Sequence, residues 1–170
     1  KNKLLDILSE YAYGTDDVTL ESVISNYFIN NKLRLSICES CTGGFISKVF
    51  TDLPGSSSFF IGSIVAYDNT IKQNIVDIPK QIIDKNGAVS SQVCEMMAKK
   101  ISKKFKTNIS IACTGISGPS GGSKEKPVGT VFISVLYFDN IITKKFIFNV
   151  DRVSHRIMTK QASLFMLWKI

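Results

Sequence analysis

The chain has 170 residues, of which 44% are hydrophobic and 10% aromatic, and it carries a formal net charge of +7. That apolar fraction excludes an intrinsically disordered chain, and no apolar run approaches the roughly 20 residues that span a bilayer. Four cysteines are too few for a disulfide scaffold, and the single histidine leaves a zinc site short of ligands. The first residues, KNKLLDILSE, show no signal-peptide pattern, so the expectation is a cytoplasmic protein that needs neither membrane nor metal.

In chain order, residues 1 to 12 read as a helix carrying Leu4, Leu5, Ile7 and Leu8, ended by the turn residues Gly14 to Asp17. A second helix is expected from about Thr19 to Asn31, with Leu20, Val23, Ile24 and Phe28 on its core face. No clean capping box marks its start. Leu33 to Cys38 reads as a short strand, and Thr42 to Thr51 as a helix entered through Gly43 and Gly44. Phe59 to Tyr67 is apolar and β-branched, hence a strand, followed by short helices over Asn69 to Val76 and Pro79 to Asp84.

Ser90 to Phe105 reads as a longer helix with Val93, Met96, Met97 and Ile101 inward. Its basic end, Lys99 to Lys106, is read as a solvated helix terminus whose cations complement the dipole. Ile109 to Thr114 is a buried strand, and a Gly-, Ser- and Pro-rich loop follows it to Pro127. Val128 to Phe138 and Ile141 to Val150 form strands joined at Asp139-Asn140, a two-residue hairpin signal. Arg152 to Ile170 closes the chain as a helix that buries Ile157, Ala162, Phe165, Met166 and Leu167 and leaves His155 on the surface. Alternating strands and helices with one hairpin predict an α/β fold with a mixed sheet.

Three unusual loops each follow a predicted strand, and sites in α/β folds form at strand carboxyl ends. Glu39 to Gly44 places Ser40 at a strand-to-helix junction, where free backbone N–H groups can hold an oxyanion or an anion, or where Ser40 or Thr42 simply caps the helix. Tyr67 to Lys72 offers two proton carriers, although a lysine needs burial or a neighbouring cation to act as a base near neutrality. Thr114 to Thr130 is glycine-dense and permits close backbone approach to a ligand, but it has neither Walker A nor G-x-G-x-x-G spacing. Cys38 and Cys41 have the C-x-x-C spacing of a redox dithiol.

Taken together, ESCTGG at 39 to 44, LPGSSSFF at 53 to 60, YDNTIK at 67 to 72, GAVS at 87 to 90 and TGISGPSGGSKEKPVGT at 114 to 130 resemble the CinA carboxy-terminal family from about Leu33 onward. The resemblance implies a three-layer α/β/α sandwich with a mixed sheet, often dimeric. It also implies hydrolysis of nicotinamide mononucleotide to nicotinic acid mononucleotide and ammonia, with no cofactor. By the same resemblance Ser40 matches the proposed nucleophile, and Tyr67 and Lys72 match the tyrosine and lysine beside it. Substrate contacts then fall on Thr42, Gly43, Gly44, Thr114, Gly115, Gly118, Gly121, Gly122 and Arg152, with Gly43 and Gly44 expected as oxyanion donors. Arg156 is equally compatible with a plain surface position. Departures from the family pattern at Cys38, Ser120 and Val150 leave the reactive side chains in place, and Cys38 makes the C-x-x-C incidental.

Two other readings belong to the same resemblance. The segment from Ile7 to Leu20 resembles the bridge of longer CinA fusions. Residues 1–16 are therefore expected to be a bridge from a longer parent and 17–170 the amidase-like domain, which could then act as a non-catalytic nucleotide-binding module. Competence-linked DNA binding would show a steep salt dependence. The scattered lysines instead suit steering of a small anionic substrate, so no nucleic-acid partner is expected.

Overall fold

The structure is a computed structural model that describes residues 12–14 and 17–170. The expected helix over residues 1 to 12 lies outside the described residues but for its last position. Among the described residues, six α-helices and five strands follow in the order α1 (Leu20–Asn30), β1 (Leu35–Glu39), α2 (Phe45–Thr51), β2 (Phe60–Val65), α3 (Asn69–Asn74), α4 (Lys80–Asn86), α5 (Ser91–Phe105), β3 (Ile109–Gly115), β4 (Thr130–Tyr137), β5 (Asn140–Ile147) and α6 (Arg152–Trp168).

The sheet runs β2-β1-β3-β4-β5, with β1 parallel to both β2 and β3, and with β4 and β5 antiparallel. Period-two alternation splits its side chains between two cores. Leu35 and Ile37 of β1, Ile109, Ile111 and Cys113 of β3 and Val131, Ile133 and Val135 of β4 pack with α1, α2 and α6. Cys38 of β1, Ala112 of β3 and Leu136 of β4 face the layer built from α4 and α5. The result is the three-layer α/β/α arrangement with a mixed sheet.

Local differences from the sequence reading have identifiable causes. Helix α1 does begin with a capping box. The Thr19 side chain accepts from Ser22 N, and the Ser22 hydroxyl returns to the Thr19 backbone, so a serine does what a glutamate was sought for. Helix α2 starts three residues late, because Gly43 and Gly44 take φ of +62° and +94°. The hairpin turn sits one residue earlier than expected, since Tyr137 pairs with Asn140 and Phe138 adopts φ +52°. In α6, Ile157 is exposed and His155 is fully buried, the reverse of the expectation. The buried face of that helix carries His155, Thr159 and Ser163 at helical spacing. The Thr159 and Ser163 hydroxyls donate to the carbonyls of His155 and Thr159, each 2.8 Å away. Polar residues that satisfy themselves within the helix can be buried without an apolar signature.

What matters for the site is where the strands end. β1 is flanked by β2 on one side and β3 on the other, so the connections leaving their carboxyl ends diverge and open a crevice there.

Candidate active site

A cleft of about 300 Å³ occupies that crevice, within the size range of small-molecule sites. Its wall draws on all three segments singled out in the sequence: Ser40 and Cys41 after β1, Tyr67, Asn69 and Lys72 after β2, and Thr114 to Gly118, Ser120 and Gly121 at and beyond the end of β3, with Arg152 of α6.

The turn carrying Ser40 is built around Glu39, the last residue of β1 and completely buried. Its carboxylate accepts from the Thr42 hydroxyl (2.6 Å), Gly44 N (3.0 Å), Ile46 N (3.0 Å), Ser47 N (2.8 Å) and the Ser47 hydroxyl (2.5 Å). Five donors around one carboxylate, at the positive end of α2, fix the path of residues 40 to 44. Arg156 closes the turn from the opposite side, donating from Nε and Nη2 to the Thr42 carbonyl at 3.0 and 2.7 Å. It is a structural clasp, and not the plain surface residue that the sequence also allowed.

These contacts correct two expectations. Thr42 is fully buried, its hydroxyl directed to Glu39 and also 3.1 Å from Cys113 Sγ, so it does not line the cleft. The expected oxyanion donors are already committed, since Gly43 N donates to Ser40 O at 3.1 Å and Gly44 N to Glu39. The role of these two glycines is conformational, through their left-handed φ.

Lys72 is 2% exposed, and Ser40 is 7% exposed. Lys72 Nζ lies 3.3 Å from Ser40 Oγ, 2.6 Å from the Ala66 carbonyl and 3.1 Å from the Tyr67 carbonyl. Burial pulls the lysine below its usual value near 10.5. Cys38 cannot offset this as a neighbouring thiolate, because its own burial pushes its thiol up and keeps it neutral.

Tyr67 comes to the same cleft by a different route. Its side chain is 59% exposed, and its hydroxyl accepts from Arg152 Nη2 at 2.8 Å, whereas its backbone carbonyl is what meets Lys72. Arg152 Nη1 also donates to the Gly118 carbonyl at 2.9 Å, which ties the glycine loop to α6. The N-terminus of α6 is filled by Asp151, which accepts from Val153 N and Ser154 N, so the positive charge presented here is the guanidinium.

In the third loop, the Thr114 hydroxyl donates to the Ala88 carbonyl at 3.0 Å, bringing the GAVS segment against the cleft. The amides of Ser117, Gly118, Ser120 and Gly121 make no hydrogen bond among the described residues. They can take an anionic group. Gly115 and Gly122 serve packing: a Cβ would meet Thr130 O at 2.8 Å and Val128 N at 2.6 Å. Gly122 is not among the lining residues.

Sequence reasoning missed Glu39, the hold of Arg156 on the Thr42 carbonyl and the pair Ser117–His155, whose Oγ and Nδ1 are 2.9 Å apart. Only Glu39 left a signal, an acid ending an apolar strand directly before a glycine turn. The C-x-x-C cysteines point into opposite cores, Cys38 with α5 and Cys41 with α2, and do not form a dithiol. Among the described residues, no group of three or more His, Cys, Asp or Glu side chains is placed to hold a metal ion. Nor is any described helix long and apolar enough to cross a membrane.

Comparison with known proteins agrees with this architecture. The CinA-like protein of Geotalea uraniireducens is 41% identical over 152 residues, 89% of this chain and 36% of its own length. A putative competence-damage inducible protein of Caldicellulosiruptor bescii is 38% identical over 167 residues, 98% of this chain and 41% of its own. The chain therefore spans well under half the length of these relatives. Among solved structures, a competence/damage inducible protein of Agrobacterium tumefaciens superposes with TM-score 0.81 at 30% identity, covering 91% of this chain and 97% of that one. A competence-damaged protein superfamily member from Escherichia coli gives 0.84 at 25%, covering 96% and 98%. The family described as CinA C-terminal domain matches residues 17–170, and the chain belongs to that family.

Proposed function

We propose that this domain is an amidohydrolase that converts nicotinamide mononucleotide and water to nicotinic acid mononucleotide and ammonia, with Ser40 as nucleophile and Lys72 as its base. The observation that carries the reading is the sealed contact between Lys72 Nζ and Ser40 Oγ at 3.3 Å. A neutral amine has two N–H bonds and one lone pair. The Ala66 and Tyr67 carbonyls can only accept, so they orient the two N–H bonds. The lone pair is then left for the Ser40 O–H, which is the arrangement an activated serine requires.

In this scheme Ser40 Oγ bonds to the carboxamide carbon as its proton passes to Lys72. The carbon–nitrogen bond breaks, the proton leaves with ammonia, and water attacking the acyl-enzyme returns Ser40. Tyr67 is not needed as a relay, since its hydroxyl is engaged by Arg152. Charge stabilisation falls to the free amides of the Ser117–Gly121 arc and to Arg152, which suit the oxyanion and the nucleotide phosphate. The test is ammonia release from nicotinamide mononucleotide by the purified protein, beside Ser40→Ala. Turnover lost in the variant supports the reading. An unchanged rate in the variant removes Ser40 from the chemistry, and a folded wild type that binds the nucleotide without turnover marks a binding module.

A further inference from the structure

A second serine on the cleft wall has a partner that the proposed chemistry does not use. Ser117 is 6% exposed and lines the cleft two residues beyond β3, and its Oγ lies 2.9 Å from Nδ1 of the fully buried His155. On the other side of the ring, Nε2 is 3.1 Å from the Gly129 carbonyl, which also accepts from Phe148 N at 3.0 Å. Phe148 packs edge-on to the ring, with centroids 6.0 Å apart.

The protons follow from this arrangement. A carbonyl only accepts, so Nε2 carries the hydrogen, and in a neutral ring Nδ1 is then a bare lone pair. Burial, reinforced by the nearby Arg152 cation, lowers the histidine below its usual value and keeps the ring neutral. Ser117 must therefore donate its only proton to His155. Ser117 lines the cleft, and no described residue donates to its Oγ, so its acceptor capacity is left for a ligand. The pair is no second nucleophile. A neutral carbonyl backs the ring in place of the carboxylate that best stabilises an imidazolium, and the Arg152 charge disfavours that ion further.

We infer that Ser117, locked by the Nε2–H tautomer of His155, is an acceptor-only contact that selects a ligand hydroxyl, and that this hydroxyl belongs to the sugar of the bound nucleotide. The sugar assignment rests on the proposed function. In nicotinamide mononucleotide the carboxamide is claimed by Ser40 and Lys72, and the phosphate offers only acceptors, which Ser117 would repel. The sugar hydroxyls are the donors that remain. His155 is accordingly a positioning residue, acting on the ligand through Ser117.

The experiment is calorimetric binding of nicotinamide mononucleotide and of its analogue lacking both sugar hydroxyls, in a Ser40→Ala background so that nothing turns over. Histidine nitrogen NMR on the same protein reads the tautomer without any ligand. The expectation is an Nε2–H ring, together with a loss of a few-fold to about tenfold in affinity for the ribonucleotide on Ser117→Ala and little change for the analogue, the size of one neutral hydrogen bond. An Nδ1–H or charged ring at neutral pH overturns the lock. Equal losses for both nucleotides overturn the sugar contact alone. If neither nucleotide binds while the ring is Nε2–H, the proposed function falls and the sugar contact with it.

Discussion

Lys72 reaches Ser40 from helix α3, 32 residues further along the chain, and both its other hydrogen bonds end on main-chain carbonyls rather than on an acid. Among the described residues no carboxylate forms an ion pair with this amine, and burial outweighs the opposing Asp68 charge and favours its neutral form. The first consequence concerns the lysine itself. Lys72→Met is expected to lower the rate of ammonia release by about 10²- to 10⁴-fold, the usual worth of a positioned base. Lys72→Arg should not restore it, since a guanidinium cannot give up its proton in a protein. Recovery of the rate by arginine would mean that the positive charge matters, and not the lone pair.

The pH profile carries a sign that follows from the same environment. The base must be neutral, so the rate should climb with pH and level off above the lysine's pKa. Burial moves that pKa below 10.5, and the plateau is expected to begin below the ordinary lysine range. Initial rates across pH 5 to 10 check this. A limb that rises only near 10.5 would show that Lys72 is not desolvated in the working enzyme.

How much of this was legible in the sequence depends on what each residue leaves as a trace. The strands showed themselves through runs such as Leu33 to Cys38 and Ile109 to Thr114, and the fold class followed from their alternation with helices. That Ser40, Lys72 and Arg152 share one cleft came from motif resemblance, because no periodicity relates positions on three separate elements. The detailed wiring was not legible. Thr42 and the glycine amides were expected to meet the ligand, but a fully buried Glu39 takes the Thr42 hydroxyl and the Gly44 amide while the Ser40 carbonyl takes the Gly43 amide, and a strand-end acid in isolation reads as solvated. His155 was read as exposed because its neighbours Ser154 and Arg156 are polar, and the buried stripe it belongs to is itself polar.

Glu39 gives a prediction about stability. Substitution by glutamine keeps the shape but turns one acceptor oxygen into an NH₂ donor facing donors. It also removes the charge that strengthens all five bonds. A loss of about 2–4 kcal/mol is expected, since each buried donor left unpaired costs about 1–3 kcal/mol. In a domain of this size that is a fall in Tm of roughly 4–16 °C. Circular-dichroism melting measures it. A Tm within a degree of wild type would mean that the turn holds without the carboxylate.

Gly129 is a second point where the backbone leaves no latitude. Its φ is +92°, and an added Cβ would lie 2.3 Å from the Phe148 carbonyl oxygen, a backbone atom that cannot swing aside. Gly129→Ala should therefore destabilise the fold by more than the roughly 1 kcal/mol of left-handed strain alone. It should also disturb His155, which is anchored on the same residue's carbonyl. Urea unfolding of the variant, with its histidine NMR shift, tests both parts, and an unmoved histidine signal would contradict the coupling.

His155 makes the stability of the domain depend on mildly acidic pH. Its pKa is lowered in the fold by burial first, with the Arg152 charge acting in the same direction. Unfolded, it titrates near 6.5, so between that value and the lowered folded value the unfolded chain binds more protons than the native one. Stability is then fully present above about pH 6.5 and is lost as pH falls through the window, with a slope of at most about 1.4 kcal/mol per pH unit from one group. Asp68 and Asp151 also have lowered values, but both start from 3.8 and act at lower pH. Urea denaturation at intervals from pH 8 to 5 should show the loss beginning near 6.5, and His155→Asn should flatten the curve in that range. An equal slope in the variant would assign the acid sensitivity to some other group.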